Sequence, residues 1–181
     1  MTTKVVKKTD PKHFYGNAVF ILTCNAVGNE YDIDPTLLLA MCEVESSYNM
    51  HAIRYESHYS WLYDPVLKRP HKSTHLYPHS PITKSRCPTE KLNQKQSWGA
   101  LQVMGAVARE YGFEGWFPEL CGRLGIEYGA KHLQRYYRRH HDWEDAVSSY
   151  NQGSPRKLTD GKYRNQNYVD KVYKSYERLK S

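Results

Sequence analysis

Asp34-Pro35-Thr36-Leu37-Leu38-Leu39-Ala40-Met41-Cys42-Glu43-Val44-Glu45-Ser46-Ser47 decides how this chain is read. It spells one short helix. Asp34 is a good N-cap, and Pro35 suits the first helical position, where its missing N–H has no partner to lose. At ~100° per residue, Leu37, Leu38, Met41, Val44 and Tyr48 gather on one face, and Thr36, Glu43 and Ser47 lie opposite. Glu45 falls inside the apolar group, whereas Glu43 points to the polar side. A carboxyl set among apolar side chains loses hydration, and its pKa rises. Glu45 also sits in the last helical turn, where the macrodipole disfavours negative charge. Both effects favour the protonated form, which is what a general acid at a glycosidic oxygen needs. A buried glutamate paired with one of the many basic residues would give the same wheel.

Working outward, the chain reads as helical with one long irregular segment. A first helix is expected from about Phe14 to Val27, ended by Gly28 and Asn29. From Asn49 to about Lys95 the periodicity fails, and Pro65, Pro70, Pro78, Pro81 and Pro88 interrupt the chain, so this stretch reads as a long loop. Loops of that length in a compact domain are usually functional. Trp98, Leu101, Met104, Ala108 and Tyr111 recur at helical spacing and predict a helix closed by Gly112. Further helices are expected near 117–121, 124–139, 143–151 (capped by Asp142 and ended by Gly153) and 167–179. The expectation is an all-α fold: an N-terminal tail over 1–13, then a single domain over 14–181 carrying an insertion over 54–96.

The totals agree with one globular unit. The chain has 181 residues, with 39% hydrophobic and 25% charged, enough to bury a core without being disordered. Its net charge of +7 favours anionic partners such as nucleic acid, membrane surface or cell-wall polymer. No RNP-like, zinc-finger or helix-turn-helix pattern supports nucleic acid. Cys24, Cys42, Cys87 and Cys121 contain no C-x-x-C and read as buried or free thiols. Lys4, Lys7 and Lys8 precede an apolar stretch from Ala18 to Val27, but Pro11, His13 and Asn17 make a poor lead-in, and Thr23 and Asn25 break the run. The expectation is neither export signal nor membrane anchor. His71, His75 and His79 are spaced like helix-borne zinc ligands, yet Pro70 and Pro78 oppose a helix there. No metal or other cofactor is expected.

Four motifs now bear on function. Glu45-Ser46-Ser47-Tyr48-Asn49 followed by Ala52 resembles the E-S-x-(F/Y)-(N/D)-x-x-A signature of soluble-type lytic transglycosylases. Ser97-Trp98-Gly99-Ala100-Leu101-Gln102-Val103-Met104 resembles that family's S-x-G-L-(M/Q)-Q-(I/V)-M motif, with a shift in residue type at Ala100-Leu101. Ser149-Tyr150-Asn151-Gln152-Gly153 resembles A-Y-N-x-G, with Ser149 in place of the usual alanine, and Tyr168-Val169-Asp170-Lys171-Val172 resembles the closing Y-V-x-x-V. The ordered set covers most of residues 14–179. The resemblance implies a lysozyme-like helical fold related to goose-type lysozyme, with peptidoglycan glycan strands as substrate. It implies Glu45 as the sole catalytic carboxyl, with Ser97 and Tyr168 orienting it. It places Ser46, Gln102, Met104, Tyr150 and Asn151 in the substrate groove: Gln102 on sugar amides or hydroxyls, and Tyr150 on sugar faces. For Tyr150 and Asn151 a helix-end role is the alternative, and for Ser46 a place in the last helical turn. Arg54-Tyr55-Glu56, the insertion and Ser97-Trp98-Gly99 look more like bacteriophage and prophage members, whose enzymes travel in the virion or await release to the wall.

Three rivals follow. The same fold performs hydrolysis in goose-type lysozyme, where an inverting reaction needs a second carboxylate to activate water; Glu56, Asp64 and Glu90 are the candidates. A non-enzymatic wall-binding or virion protein would have no use for Glu45, Gln102 or Tyr168. A nucleic-acid binder rests on charge alone. Trp98, Val169, Val172, Tyr173 and Tyr176 read as core. The basic run 135–141 reads as the solvated end of a helix, or as a contact with anionic envelope. A monomer is expected.

Overall fold

The computed structural model describes residues 11–65, 67–72 and 87–181. Helix α1 spans Pro11–Tyr31 and α2 spans Pro35–Ser46. Asp34 caps α2 as the sequence suggests, accepting from the Thr36 N–H at 2.8 Å. The helix stops at Ser47, which adopts φ 53° and returns its N–H to the last carbonyls. Two consecutive left-handed residues, Ser47 and Tyr48, turn the chain sharply there. α1 does not end at Gly28. A side chain at that position would meet the Ile33 carbonyl at 2.7 Å, so Gly28 marks a close approach of backbones rather than a stop.

Helix α2 is buried on more than one side, with Leu37, Leu38, Ala40, Met41 and Cys42 all in the core. It packs between α1 and α7, which spans Gln166–Lys180. The two-faced wheel is therefore corrected: α2 is a central helix, and Glu43 is not left to solvent. Glu43 is held by Ser175 and Arg178 of α7. Helices α5 (Arg123–His140) and α6 (Trp143–Gln152) complete this layer, burying Ile126, Leu133 and Val147 beside Leu38, Met41 and Val172. Asp142 caps α6 through the Asp145 N–H at 2.7 Å, and Gly153 closes it at φ 83°, both as the sequence predicts.

The fold is mainly helical, but the irregular segment holds short strands. β1 (Ile53–Tyr55), β4 (Gln96–Trp98) and β5 (Val103–Met104) form one antiparallel sheet. β2 (Trp61–Asp64) and β3 (Arg69–Lys72) form a separate hairpin. Helix α3 (Cys87–Gln94) returns the chain to β4. The helix expected to start at Trp98 is thus corrected: β4, a turn and β5 come first, and α4 covers only Gly105–Glu110. Gly99 and Gln102, at φ 69° and 49°, make that turn. Trp98 is buried as expected, but in a second core with Val103, Ala108, Phe113, Phe117 and Leu120. Phe117 and Leu120 belong to a 3-10 turn (Phe117–Leu120). Cys24 and Cys42 are buried free thiols and Cys121 is a partly exposed one. His75 and His79, and the side chain of His71, lie outside the described residues. Among the described residues no helix is long and apolar enough to cross a membrane.

Candidate active site

A cleft of about 860 Å³ opens where the helical layer meets the small sheet. Glu45 lies in it, together with Arg54 and Glu56 of the sheet side and Tyr150, Asn151 and Arg156 of the helical side. The end of α2 carries Glu45 into the cleft. Tyr168, near the start of α7, donates its hydroxyl to Glu45 Oε1 at 2.6 Å. The bond joins residues 123 apart in sequence, so packing of α7 on α2 sets it.

Burial pushes the Glu45 carboxyl above its ordinary value, opposed by the Tyr168 hydrogen bond and the Arg54 charge and assisted by Glu56. Desolvation is the largest influence, and it favours the protonated acid. The Tyr168 hydroxyl sits on the other side of the balance, because it stabilises the carboxylate that remains after proton transfer. Burial, with the Glu45 charge next in size, pushes the Tyr168 and Tyr150 phenols well up, so both stay neutral donors.

The other expected site residues divide. Ser97, Gln102, Met104, Tyr150 and Asn151 all line the cleft with Glu45. Ser97 donates its hydroxyl to Gln102 Oε1 at 2.8 Å, so its hydrogen goes to Gln102 and not to Glu45. Gln102 in turn donates to the Gly99 and Ala52 carbonyls at 2.9 and 3.2 Å. This pair ties the β4–β5 turn to the segment leaving α2, and both amide hydrogens of Gln102 are engaged. Tyr150 donates to the Leu101 carbonyl at 2.7 Å, and its ring meets that of His132 edge-on at 5.4 Å. The Asn151 side-chain carbonyl accepts from Asn165 at 3.0 Å. Ser46 does not line the cleft. It donates back to the Cys42 carbonyl at 3.0 Å and accepts from the Asn49 N–H at 3.2 Å, which places it in the last turn of α2.

Several cleft residues escaped the sequence reading. Trp61 and Tyr59, from the insertion, line it. Trp61 is 56% exposed, while burial pushes the Tyr59 phenol up to about 12. His132, Arg135, Tyr136 and Arg139 line it from α5, one turn apart. Burial brings His132 down to about 4, with Arg135 adding to the effect. The basic run 135–141 is therefore not simply a solvated helix end. Its i, i+4 spacing carried the signal, hidden by a charge density that reads as surface. Glu110 also lines the cleft, bound to Arg135 at 2.6 Å.

Of the three candidate second carboxylates, Glu56 lines the cleft and pairs with Arg54 at 2.6 Å. Asp64 is buried and accepts from the Leu67 N–H. Glu90 is bound to Arg109, itself folded over Phe117. Among the described residues no cluster of acidic, histidine or cysteine side chains is arranged to hold a metal ion.

No curated protein and no solved structure matches the chain. A family model does: the transglycosylase SLT domain, over residues 23–172. That span runs from α1 to α7 and includes Glu45, the β4–β5 turn, the end of α6 and Tyr168. The chain belongs to the transglycosylase SLT domain family, and so to the lytic transglycosylases that act on peptidoglycan.

Proposed function

We propose that the chain cleaves the β-1,4 bond between MurNAc and GlcNAc with Glu45 as acid and then base, leaving a 1,6-anhydro-MurNAc end. The observation that carries this reading is a carboxyl in a cleft, raised by burial and held by one phenol at 2.6 Å. Glu45 first donates its proton to the glycosidic oxygen as the bond to C1 breaks. The substrate's own N-acetyl group stabilises the positive centre at C1. Glu45, now ionised and held by Tyr168, takes the proton from the MurNAc C6 hydroxyl as that oxygen attacks C1. One carboxyl suffices because the proton it leaves on the departing GlcNAc oxygen is replaced by the one it takes from the C6 hydroxyl. Tyr150, Met104 and Asn151 supply the groove, while Ser97 and Gln102 hold the shape of its sheet side. The resemblance of Arg54-Tyr55-Glu56, the insertion and Ser97-Trp98-Gly99 to phage and prophage members supports a lysin carried in a virion or released at lysis.

Hydrolysis is the second reading, and one observation favours it: Glu56 shares the cleft with Glu45. The test is digestion of purified peptidoglycan with product masses read by mass spectrometry. Anhydro ends, lighter by one water than reducing ends, are expected from wild type and from a Glu56→Gln variant alike. Reducing ends alone, lost in Glu56→Gln, would make the enzyme a hydrolase with Glu56 activating water.

A further inference from the structure

We infer that Arg139 and Arg156 form a binding site for the free carboxylates of the peptide stems carried by the glycan. The inference rests on the peptidoglycan reading above and adds to it a determinant of which strands are taken. Four arginines line the cleft: Arg54, Arg135, Arg139 and Arg156. Two are already matched, Arg54 by Glu56 and Arg135 by Glu110, each at 2.6 Å. Arg139 and Arg156 are exposed, and among the described residues neither forms an ion pair. The third cleft carboxyl, Glu45, is biased by burial toward its neutral form. The cleft therefore carries two uncompensated positive charges.

That excess has no use on the sugar rings. The GlcNAc and MurNAc rings offer hydroxyls and amides and carry no charge. In an intact strand the MurNAc lactyl group is itself tied up as an amide, and the negative charge lies on the stem carboxylates. Arg139 stands one turn beyond Arg135 on α5, and Arg156 follows the Gly153 cap of α6. Both line one cleft with Glu45, Tyr150 and Asn151, so a strand seated in it runs past them. A planar guanidinium donates two parallel hydrogen bonds to a carboxylate, which gives direction as well as charge. Because both arginines are exposed, their contribution is to affinity for the strand and is weakened by salt.

The test uses the full chain and three soluble, uncross-linked substrates. The first has native stems. In the second the stem carboxylates are converted to amides with carbodiimide and excess ammonia. The third is stripped of stems by an amidase, which leaves a free lactyl carboxylate. For wild type, KM on the amidated strands is expected to rise about three- to tenfold over native strands, with kcat within about twofold, as for a pair of exposed charge contacts. The stripped strands should behave like the amidated ones. An Arg139→Gln/Arg156→Gln variant, checked for an unchanged melting temperature, should show the high KM on all three and no discrimination. Equal KM of wild type on native and amidated strands overturns the inference, as does a variant that still discriminates. A low KM on stripped strands would assign the anion to the lactyl group and overturn the stem assignment. Failure of wild type to cut any strand would instead sink the lytic reading itself.

Discussion

The two sides of the cleft are held by different physics. The helical side, built on α2, α5, α6 and α7, rests on packed apolar side chains such as Leu38, Met41, Leu133, Val147 and Val172, all fully buried. The sheet side, built on β1, β4, β5 and α4, has a smaller core around Trp98 and Phe117 and depends in addition on special backbone. Gly99 and Gln102 occupy left-handed conformations, and the Gln102 side chain stitches Ala52 to Gly99. Glu45 comes from the first side and its closest sheet-side charges, Arg54 and Glu56, from the second. Chemistry thus comes from a well-packed helix end, while the shape around it depends on a turn with few tolerable alternatives. Truncations on the helical side should cost stability in proportion to volume lost. On the sheet side, conformational substitutions should cost most.

The largest effect is expected where the helical side carries the proton. Glu45→Gln keeps size and still accepts from Tyr168, but has no acidic proton. Its kcat on peptidoglycan should fall by about a thousandfold, within the range for acid–base groups. The same variant should be more stable at pH 7. The folded pKa of Glu45 is raised, so its stabilising share is complete below its unfolded value near 4.5 and is lost as pH rises through the folded one. A higher melting temperature than wild type at pH 7, and no gain below pH 4, would bear this out. A variant that melts lower at pH 7 would mean the carboxylate is stabilised in place.

Next in size is Gly99→Ala on the sheet side. A Cβ there would meet the Leu120 carbonyl oxygen at 2.2 Å, at φ 69°. Neither clash nor strain has a soft side chain to absorb it. A loss of about 3 kcal/mol, read by urea denaturation, is expected. A near-neutral result would break the contrast between the two sides. Tyr168→Phe should follow, with kcat about tenfold lower. The phenol stabilises the Glu45 carboxylate, so removing it raises the acid's pKa further, and the alkaline limb of kcat against pH should move to higher pH. A limb that stays put would separate Tyr168 from the proton. The smallest effect belongs to Ser46→Ala. Its hydroxyl serves the last turn of α2, so a melting shift worth under about 1 kcal/mol and an unchanged KM are expected. A raised KM would return Ser46 to the groove.

The helical side was legible because its signals are local. Asp34, Pro35, Asp142 and Gly153 mark helix ends, and 3.6-residue spacing marks buried faces. The sheet side misled for the same reason. Trp98, Leu101, Met104 and Ala108 fit a helical period, but they are spread over β4, a turn, β5 and α4, and Gln102 at φ 49° gives no warning in one-dimensional pattern. Glu45 was conspicuous as a carboxyl among apolar neighbours. Its position in the cleft, and the hydroxyl of Ser97 turning to Gln102, depend on which residues of distant segments meet. So does the placement of Arg135 and Arg139, whose charge suggested solvent. Glu43 was misjudged because its partners on α7 lie 132 and 135 residues away.

Tyr55 and Gln96 face each other across the β1–β4 ladder. The insertion therefore begins and ends at neighbouring points of one ladder. Closing a loop between fixed ends costs only about 0.6 kcal/mol more for each doubling of its length. The cleft residues Tyr59 and Trp61 thus ride on a segment whose ends are fixed to each other, while Glu45 rides on α2.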